Sequence, residues 1–239
     1  MKTISRLPAV LSTRQAPAVL TRRGFMLGSA VAAASLVGGP VWAQSRTQGI
    51  RNLKGLVRVN GESVGNRATI NAGDTVSTGA DGRVSFVVGG DAFFLRENSE
   101  LKIEPSTIGS GVITSLRMIT GALGAVFARR QGLGVSIHTP TVTAGIRGTG
   151  CYTEARDEGV YFCTCFGAIE LTSEMGGQKE LIVASHHDAR MIMREPKDGQ
   201  TIAMSSFGKH TDQEMDGLER LVGRRAPWVG SGVAYPPSP

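Results

Sequence analysis

The stretch Val135–Leu171, VSIHTPTVTAGIRGTGCYTEARDEGVYFCTCFGAIEL, carries the densest strand pattern in the 239-residue chain. Two segments rich in β-branched and aromatic residues, Thr139–Ala155 and Val160–Cys165, flank the polar tetrapeptide Arg156–Gly159. A polar connection that contains glycine between two such segments is typical of a β-hairpin. We therefore predict a pair of antiparallel strands at this point.

The same stretch contains all three cysteines of the chain. Cys163 and Cys165 lie two residues apart on the second predicted strand, so their side chains leave the same face of the sheet. Two thiols side by side on one face can act together as soft ligands, so the function of the protein depends largely on the role of this pair.

Before this stretch, Ile50–Phe127 consists of short extended segments separated by Gly, Asn and Asp. Asn60-Gly61 is a strong hairpin signal, and turn signals recur about every 8–12 residues, as in a β-sandwich, roll or solenoid. Val112–Phe127 has apolar residues at helical spacing, but its two interior glycines and its β-branched residues favour strands. We predict a mainly β, multi-stranded antiparallel fold.

After this stretch the sequence changes character, and we expect residues 172–223 to form a C-terminal β extension. Lys179–Ala184 and Ala189–Met193 are its predicted strands. A short helix is predicted over residues 211–222, because Thr211 and Glu214 have the spacing of a capping box. The Pro- and Gly-rich residues 224–239 are expected to be a disordered tail.

The first residues have the layout of an export signal. Residues 1–23 carry five basic side chains and no acidic one, a mildly apolar segment follows, and Val41 and Ala43 suit cleavage after Ala43. The sequence TRRGFM at Thr21–Met26 resembles a twin-arginine signal. We therefore expect export to the periplasm, with residues 1–43 removed as the signal peptide.

Removal of the leader changes the charge balance. The whole chain has a formal net charge of +6, but without the five leader cations it keeps 21 basic against 20 acidic residues. Binding to nucleic acid usually needs a basic patch or stripe, which is not apparent here. No other segment is apolar enough to be a membrane span. We expect neither a nucleic-acid partner nor a transmembrane segment in the mature chain.

Several motifs together resemble the FecR-type domain, the periplasmic part of the ferric-citrate regulator. The matching region runs from about Leu53 to Leu171. Its motifs are GxVxVNG at Gly55–Gly61, AGDTVSTGADGRVSF at Ala72–Phe86, LRENSELKIE at Leu95–Glu104, GALGAVF at Gly121–Phe127 and TPTVTAGIRGTGCY at Thr139–Tyr152.

The resemblance implies a FecR-type β domain over residues 50–171 that senses or scaffolds outside the cytoplasm and has no known catalysis. It implies an envelope protein or a small ligand as partner. In the ferric-citrate regulator, an anti-sigma segment and a membrane helix precede the domain. Here a cleavable signal stands instead, which argues against direct signalling across the membrane.

The two neighbouring thiols, together with the imidazoles that follow them in the chain, suggest a metal site. Soft thiolates together with imidazoles suit a zinc, copper or iron centre. Neighbouring histidines do not readily point the same way, so we expect one of the two at 186–187 to bind, with the other or Asp188 as an outer partner. The candidate ligands are Cys163, Cys165, His186, His187 and His210.

A disulfide is the alternative for the same cysteines. The periplasm is oxidising, and Cys151 and Cys163 are expected to face one another across the predicted hairpin. Either Cys163 or Cys165 could reach Cys151, which would leave one free thiol. A bridge between Cys163 and Cys165 would be strained, because residues two apart on a strand are almost 7 Å apart. Both the disulfide and the metal interpretation remain open from the sequence.

Other candidate sites are weaker. Arg147 is a candidate for meeting an anionic ligand or pairing with a carboxylate. No nucleophile elbow, that is, a G-x-S-x-G sequence at a strand-to-helix turn, and no recognisable triad is apparent. The sequence favours a non-catalytic binding or sensing module of the cell envelope. The alternatives are a metal-binding, redox or cofactor-carrying protein, or an enzyme that uses such a metal.

Overall fold

The structure is a computed structural model that describes residues 48–105 and 112–230, so the expected leader lies outside the described residues. Within them it has sixteen strands and one helix, α1, at Asp212–Leu221. The strands are β1 Gly49–Lys54, β2 Val57–Val59, β3 Glu62–Ser63, β4 Thr75–Thr78, β5 Arg83–Val88, β6 Asp91–Leu95, β7 Glu100–Ile103, β8 Ser115–Thr120, β9 Ala122–Val126, β10 Val135–His138, β11 Val142–Ile146, β12 Gly150–Ala155, β13 Gly159–Ser173, β14 Lys179–Ala184, β15 Asp188–Lys197 and β16 Gln200–Ser205.

All the strands belong to one curled sheet, which confirms the predicted mainly β class. The long strand β13 joins its two halves. The first half contains β1, β5, β6, β9, β12, β15 and β16. The second half contains β2, β3, β4, β7, β8, β10, β11 and β14. The first part of β13 pairs with β12 and β15, and the second part pairs with β11 and β14. Gly167 lies at the change, with a φ of 94° and no room for a Cβ atom beside Thr149. Only glycine adopts this conformation without strain, so Gly167 lets β13 pass from one half to the other.

One strand pair departs from the antiparallel prediction, since β8 and β10 run parallel. Between them the chain crosses to the other half of the sheet to form β9, which pairs with β6 and β12. Two parallel neighbours need such a crossover, because a tight hairpin reverses the direction of the chain.

The local turn predictions are confirmed. Asn60 and Gly61 have φ angles of 53° and 84° and join β2 to β3, as a two-residue hairpin turn requires. The hairpin of β12 and β13 closes around Arg156 and Gly159. Residues 115–126, where helical spacing competed with strand signals, form β8 and β9.

The inner face of the curled sheet holds the larger apolar core. Both halves contribute to it, with Phe86 and Phe93 from the first half and Leu101 and Ile137 from the second. All four side chains are fully buried. Closing the sheet over this core therefore fixes the two halves relative to each other, because apolar burial favours the closed arrangement.

A second apolar cluster lies on the outer face of the first half. There α1 and the residues after it cover the sheet, and Met215 and Leu218 of the helix pack among Phe94 and Tyr161 of the strands. Alternation along β13 decides which side chains reach this cluster, because successive residues point to opposite faces. This cluster surrounds the candidate site.

Helix α1 begins with the predicted capping box. The Thr211 hydroxyl accepts a hydrogen bond from the Glu214 amide, and the Glu214 carboxylate accepts one from the Thr211 amide at 2.9 Å. Such reciprocal bonds satisfy donors that the first turn of a helix leaves free. No helix in the described ranges has the length and apolarity that a membrane span requires.

The C-terminal region is more ordered than the sequence suggests. β16 was not predicted, and it pairs with β15 at the margin of the sheet. The tail that was expected to be disordered from residue 224 instead packs against the second cluster, where Ala226 and Trp228 are buried. Residues 231–239 lie outside the described part of the chain.

Candidate metal centre

Strand β13 presents Cys163 and Cys165 on the outer face of the sheet, toward α1. Both side chains are fully buried in the second apolar cluster. Their neighbour Phe162 points the other way, into the inner core. The period of two along a strand thus places the two sulfurs side by side, as the sequence predicts.

His187 reaches the sulfurs from the turn between β14 and β15. Its backbone has a φ of 41°, and its amide donates a hydrogen bond to the Cys165 carbonyl at 3.0 Å. Its Nδ1 atom lies 3.6 Å from the Cys163 sulfur. A positive φ at a residue other than glycine is unfavourable, and the turn holds His187 in it with the ring directed into the cluster.

His210 enters from the segment that leads into α1. Its Nε2 atom lies 3.2 Å from the Cys165 sulfur and 3.2 Å from Nδ1 of His187. The ring stacks on Tyr152 with centroids 4.5 Å apart, and the residue is buried. The ring therefore has little freedom to turn away from the sulfurs.

We call Cys163, Cys165, His187 and His210 the Cys2His2 cluster. Their ligand atoms all lie within 4.8 Å of one another. With zinc bonds of about 2.3 Å to sulfur and about 2.05 Å to nitrogen, a tetrahedral site has an N–N separation of about 3.3 Å and S–N separations of about 3.6 Å. Three separations in the cluster are close to these values: 3.2 Å between the two nitrogens, 3.6 Å between Cys163 and His187, and 3.2 Å between Cys165 and His210.

Outer partners decide which nitrogen of each ring faces the cluster. The Gly208 carbonyl, 3.0 Å from Nδ1 of His210, can only accept, so this nitrogen carries the proton. Asp212 lies 2.7 Å from Nε2 of His187 and likewise holds the proton there. When both rings are neutral, Nε2 of His210 and Nδ1 of His187 carry lone pairs that point toward each other. Such lone pairs repel each other unless a cation, a proton or a metal ion, lies between them.

The charges of the cluster favour a cation as well. Burial alone would raise the pKa of Cys163, but hydrogen bonds from Cys165 and from the protonated rings of His187 and His210 outweigh it and lower this pKa to about 4. Burial and the neighbouring Cys163 sulfur raise the pKa of Cys165. The cluster therefore keeps one thiolate readily available, and a bound metal ion would favour ionisation of the second thiol.

Asp212 is the residue that the sequence analysis missed. It occupies the first turn of α1, where its carboxylate also accepts from Nε2 of His186 at 2.9 Å. Burial would raise its pKa, but the two imidazoles outweigh this and lower it. In the sequence Asp212 resembles an ordinary first-turn acid, and no local signal connects it with residues 25 positions earlier.

The structure thus brings together four of the five predicted ligands and places His186 just outside them. His186 contacts Asp212 and lies against Trp228, with ring centroids 4.9 Å apart. Asp188, the other expected outer partner, pairs with Arg190 instead.

The alternative disulfide between Cys151 and Cys163 is wrong, because all three cysteines are free. The register of the hairpin pairs Cys151 with Thr164, and Cys163 with Tyr152. Cys151 consequently points into the inner core while Cys163 points to the outer face. Side chains on opposite faces of a sheet do not meet, so no bridge forms between them.

Arg147 lies apart from the Cys2His2 cluster. It is exposed after the end of β11, in an open groove that it shares with Arg129 and Arg130. Arg130 is neutralised by the buried Asp91 at 2.7 Å. The expectation that Arg147 meets an anionic ligand or pairs with a carboxylate stays a prediction.

No family model and no curated protein matches this chain, so membership of the FecR-type family stays a prediction. Two crystal structures, at 2.50 Å and 1.65 Å resolution, of a candidate anti-sigma factor from Parabacteroides distasonis ATCC 8503 are similar in fold. They are 12% and 11% identical, with TM-scores of 0.46 and 0.45, and the match covers 55% of this chain and 59% of theirs. At these values the similarity says nothing about what this chain binds.

Proposed function

We propose that this chain binds one transition-metal ion, Zn²⁺ by its ligand set, in the Cys2His2 cluster. The observation that carries the proposal is the convergence of two sulfurs and two imidazole nitrogens within 4.8 Å. Tetrahedral coordination by two cysteines and two histidines is a common structural zinc site. Cu⁺ is the competing ion, because it also prefers thiolates.

The site supports a structural rather than a catalytic metal. Catalytic zinc keeps a position open for water or substrate, whereas structural zinc is closed by four protein ligands. Here the four side chains supply four ligand atoms, and Cys163, Cys165 and His210 are buried. The proposal therefore agrees with a non-catalytic protein.

The proposed metal would join three separate parts of the chain. Two ligands come from β13, His187 comes from the turn after β14, and His210 comes from the segment before α1. Asp212 links the helix to the same ring from outside, at 2.7 Å. The metal would therefore hold the C-terminal helix on the outer face of the sheet.

For the cellular setting, we propose a FecR-type binding or sensing module in the periplasm. The FecR-like motifs between Leu53 and Leu171 and the twin-arginine-like signal at Thr21–Met26 support this. A route that exports folded proteins would let the site be filled before export. The partner would be an envelope protein or a small ligand.

The test is the metal content of the full chain. Elemental analysis after zinc loading is expected to give about one ion per chain, and Cys163→Ser or His210→Ala is expected to abolish it. Cys151→Ser is the matched control, because Cys151 is equally buried but lies in the inner core. Absence of stoichiometric metal in the parent, or full retention in Cys163→Ser, would overturn the proposal.

A further inference from the structure

A groove lies beside α1, between the helix and the edge of the first half of the sheet. Its volume is about 420 Å³, within the range of small-molecule sites of about 300–1,000 Å³. Strands β1, β5 and β6 form one wall, and Gly217, Leu218 and Leu221 of α1 form the other. None of the Cys2His2 residues lines it.

The floor of the groove is apolar. Phe94 reaches it from β6, and Leu218 and Leu221 reach it from the helix. Gly217 leaves the space between them open, since a Cβ atom added there would meet no atom within 4 Å. The floor therefore offers apolar contact to a guest without any rearrangement of the helix.

The rim of the groove is positively charged. Arg51, Lys54, Arg83 and Arg96 line it, and Glu214 is the one carboxylate among the lining residues. Arg96 holds Glu214 at 2.9 Å, and Arg83 pairs with Glu97 at 2.5 Å. Lys54 forms no ion pair with any other described residue. The lining thus keeps an excess of positive charge above an apolar floor.

We propose that this groove binds a free small molecule with an apolar body and one anionic group, such as a carboxylate. The apolar body would lie beside Gly217 and Leu221, over the edge of Phe94, where its burial is favourable. The anionic group would meet the guanidinium groups of the rim arginines and the ammonium group of Lys54, both of which form charge-assisted hydrogen bonds with carboxylates. The groove is concave and the size of a small ligand, which favours a free molecule over a membrane surface.

The test uses dodecanoate as the probe and titration calorimetry on the full chain. Gly217→Leu fills the groove, and it should not harm the helix because leucine is a better helix former than glycine by almost 1 kcal/mol. We expect it to weaken dodecanoate binding at least about tenfold, since the apolar floor is covered. Gln213→Leu, at an exposed position of the same helix outside the groove, is the matched control and should bind as the parent does.

A second variant tests the rim. Lys54→Gln should weaken dodecanoate binding about threefold at low salt, and raised salt should reduce the difference. Parent protein that does not bind dodecanoate, or equal binding by parent and Gly217→Leu, overturns the proposal. The proposal is also overturned, in favour of a membrane surface, if the protein binds phosphatidylglycerol vesicles and Gly217→Leu leaves that binding unchanged. Metal content is measured in each variant, so that failure of this groove is distinguishable from failure of the metal site.

Discussion

The Nε2 atom of His187 lies 2.7 Å from the Oδ1 atom of Asp212, although 25 residues separate them in the chain. This contact connects the turn before β15 to the first residue of α1, and it fixes the ring nitrogen that His187 turns toward the sulfurs. A carboxylate behind an imidazole ligand orients the ring and makes it a better metal ligand.

Asp212→Asn should therefore weaken metal binding without abolishing it. Loss of such an outer carboxylate typically costs about 10- to 100-fold in metal affinity, because ring orientation and basicity both suffer. Competition against a chromogenic chelator measures the change. Asp198→Asn, in an exposed turn, is the control and should match the parent. Equal affinities for Asp212→Asn and the parent would contradict the role of this contact.

Removal of the metal should loosen α1. The ligand His210 lies just before the helix, so chelation removes a link between the helix and β13. We expect hydrogen exchange of the amides in Asp212–Leu221 to accelerate about tenfold or more, since local opening then needs less free energy. Amides of β5 and β6, which pair within the sheet, are the internal control. Unchanged exchange in the helix after complete chelation would count against the proposed link.

Acidification should release the metal. A bound metal needs thiolates and neutral imidazoles, and protons compete for the same atoms. Burial lowers the pKa of His187, but its hydrogen bonds with Cys163 and Asp212 outweigh this and raise the pKa above the ordinary value. Protons therefore compete for this ring already near neutral pH, and affinity should fall as the pH drops from about 7 to about 5. Zinc release into a chelator, followed over this range, gives the profile. A constant affinity across it would exclude His187 as a ligand.

Trp228→Ala should destabilise the protein, although Trp228 lies in a Pro- and Gly-rich segment. The indole packs on Phe166 and His186 and is 8% exposed. Truncation of a buried aromatic side chain costs about 3 kcal/mol or more in the free energy of unfolding. Urea denaturation measures this loss. Met204→Ala, at a side chain 83% exposed, should stay within about 0.5 kcal/mol of the parent. A similarly small loss for Trp228→Ala would show that the segment contributes little.

Local features could be predicted from the sequence because their causes lie within a few residues. The Asn60-Gly61 turn follows from positive φ angles that these residue types tolerate. The Thr211–Glu214 capping box follows from a spacing of three. The shared face of Cys163 and Cys165 follows from the period of a strand.

The register of the β12–β13 hairpin could not be predicted. Opposite Cys163 the structure places Tyr152 rather than Cys151, a difference of one residue. A slip of one residue moves a side chain to the other face of the sheet. The packing of Cys151 in the inner core and of Tyr152 against His210 decides between the two registers, and both contacts involve distant residues.

The sequence by itself determined the strand-rich class of this protein, its capped helix and the pairing of two thiols on one face. All of these depend on short-range periodicity and on the conformational preferences of single residues. Only the tertiary structure decided which imidazoles meet the thiols, that Asp212 stands behind them, and that a charged groove opens beside α1. These arrangements arise where the helix packs on the curled sheet, and burial of apolar surface between distant segments leaves no local pattern in the chain.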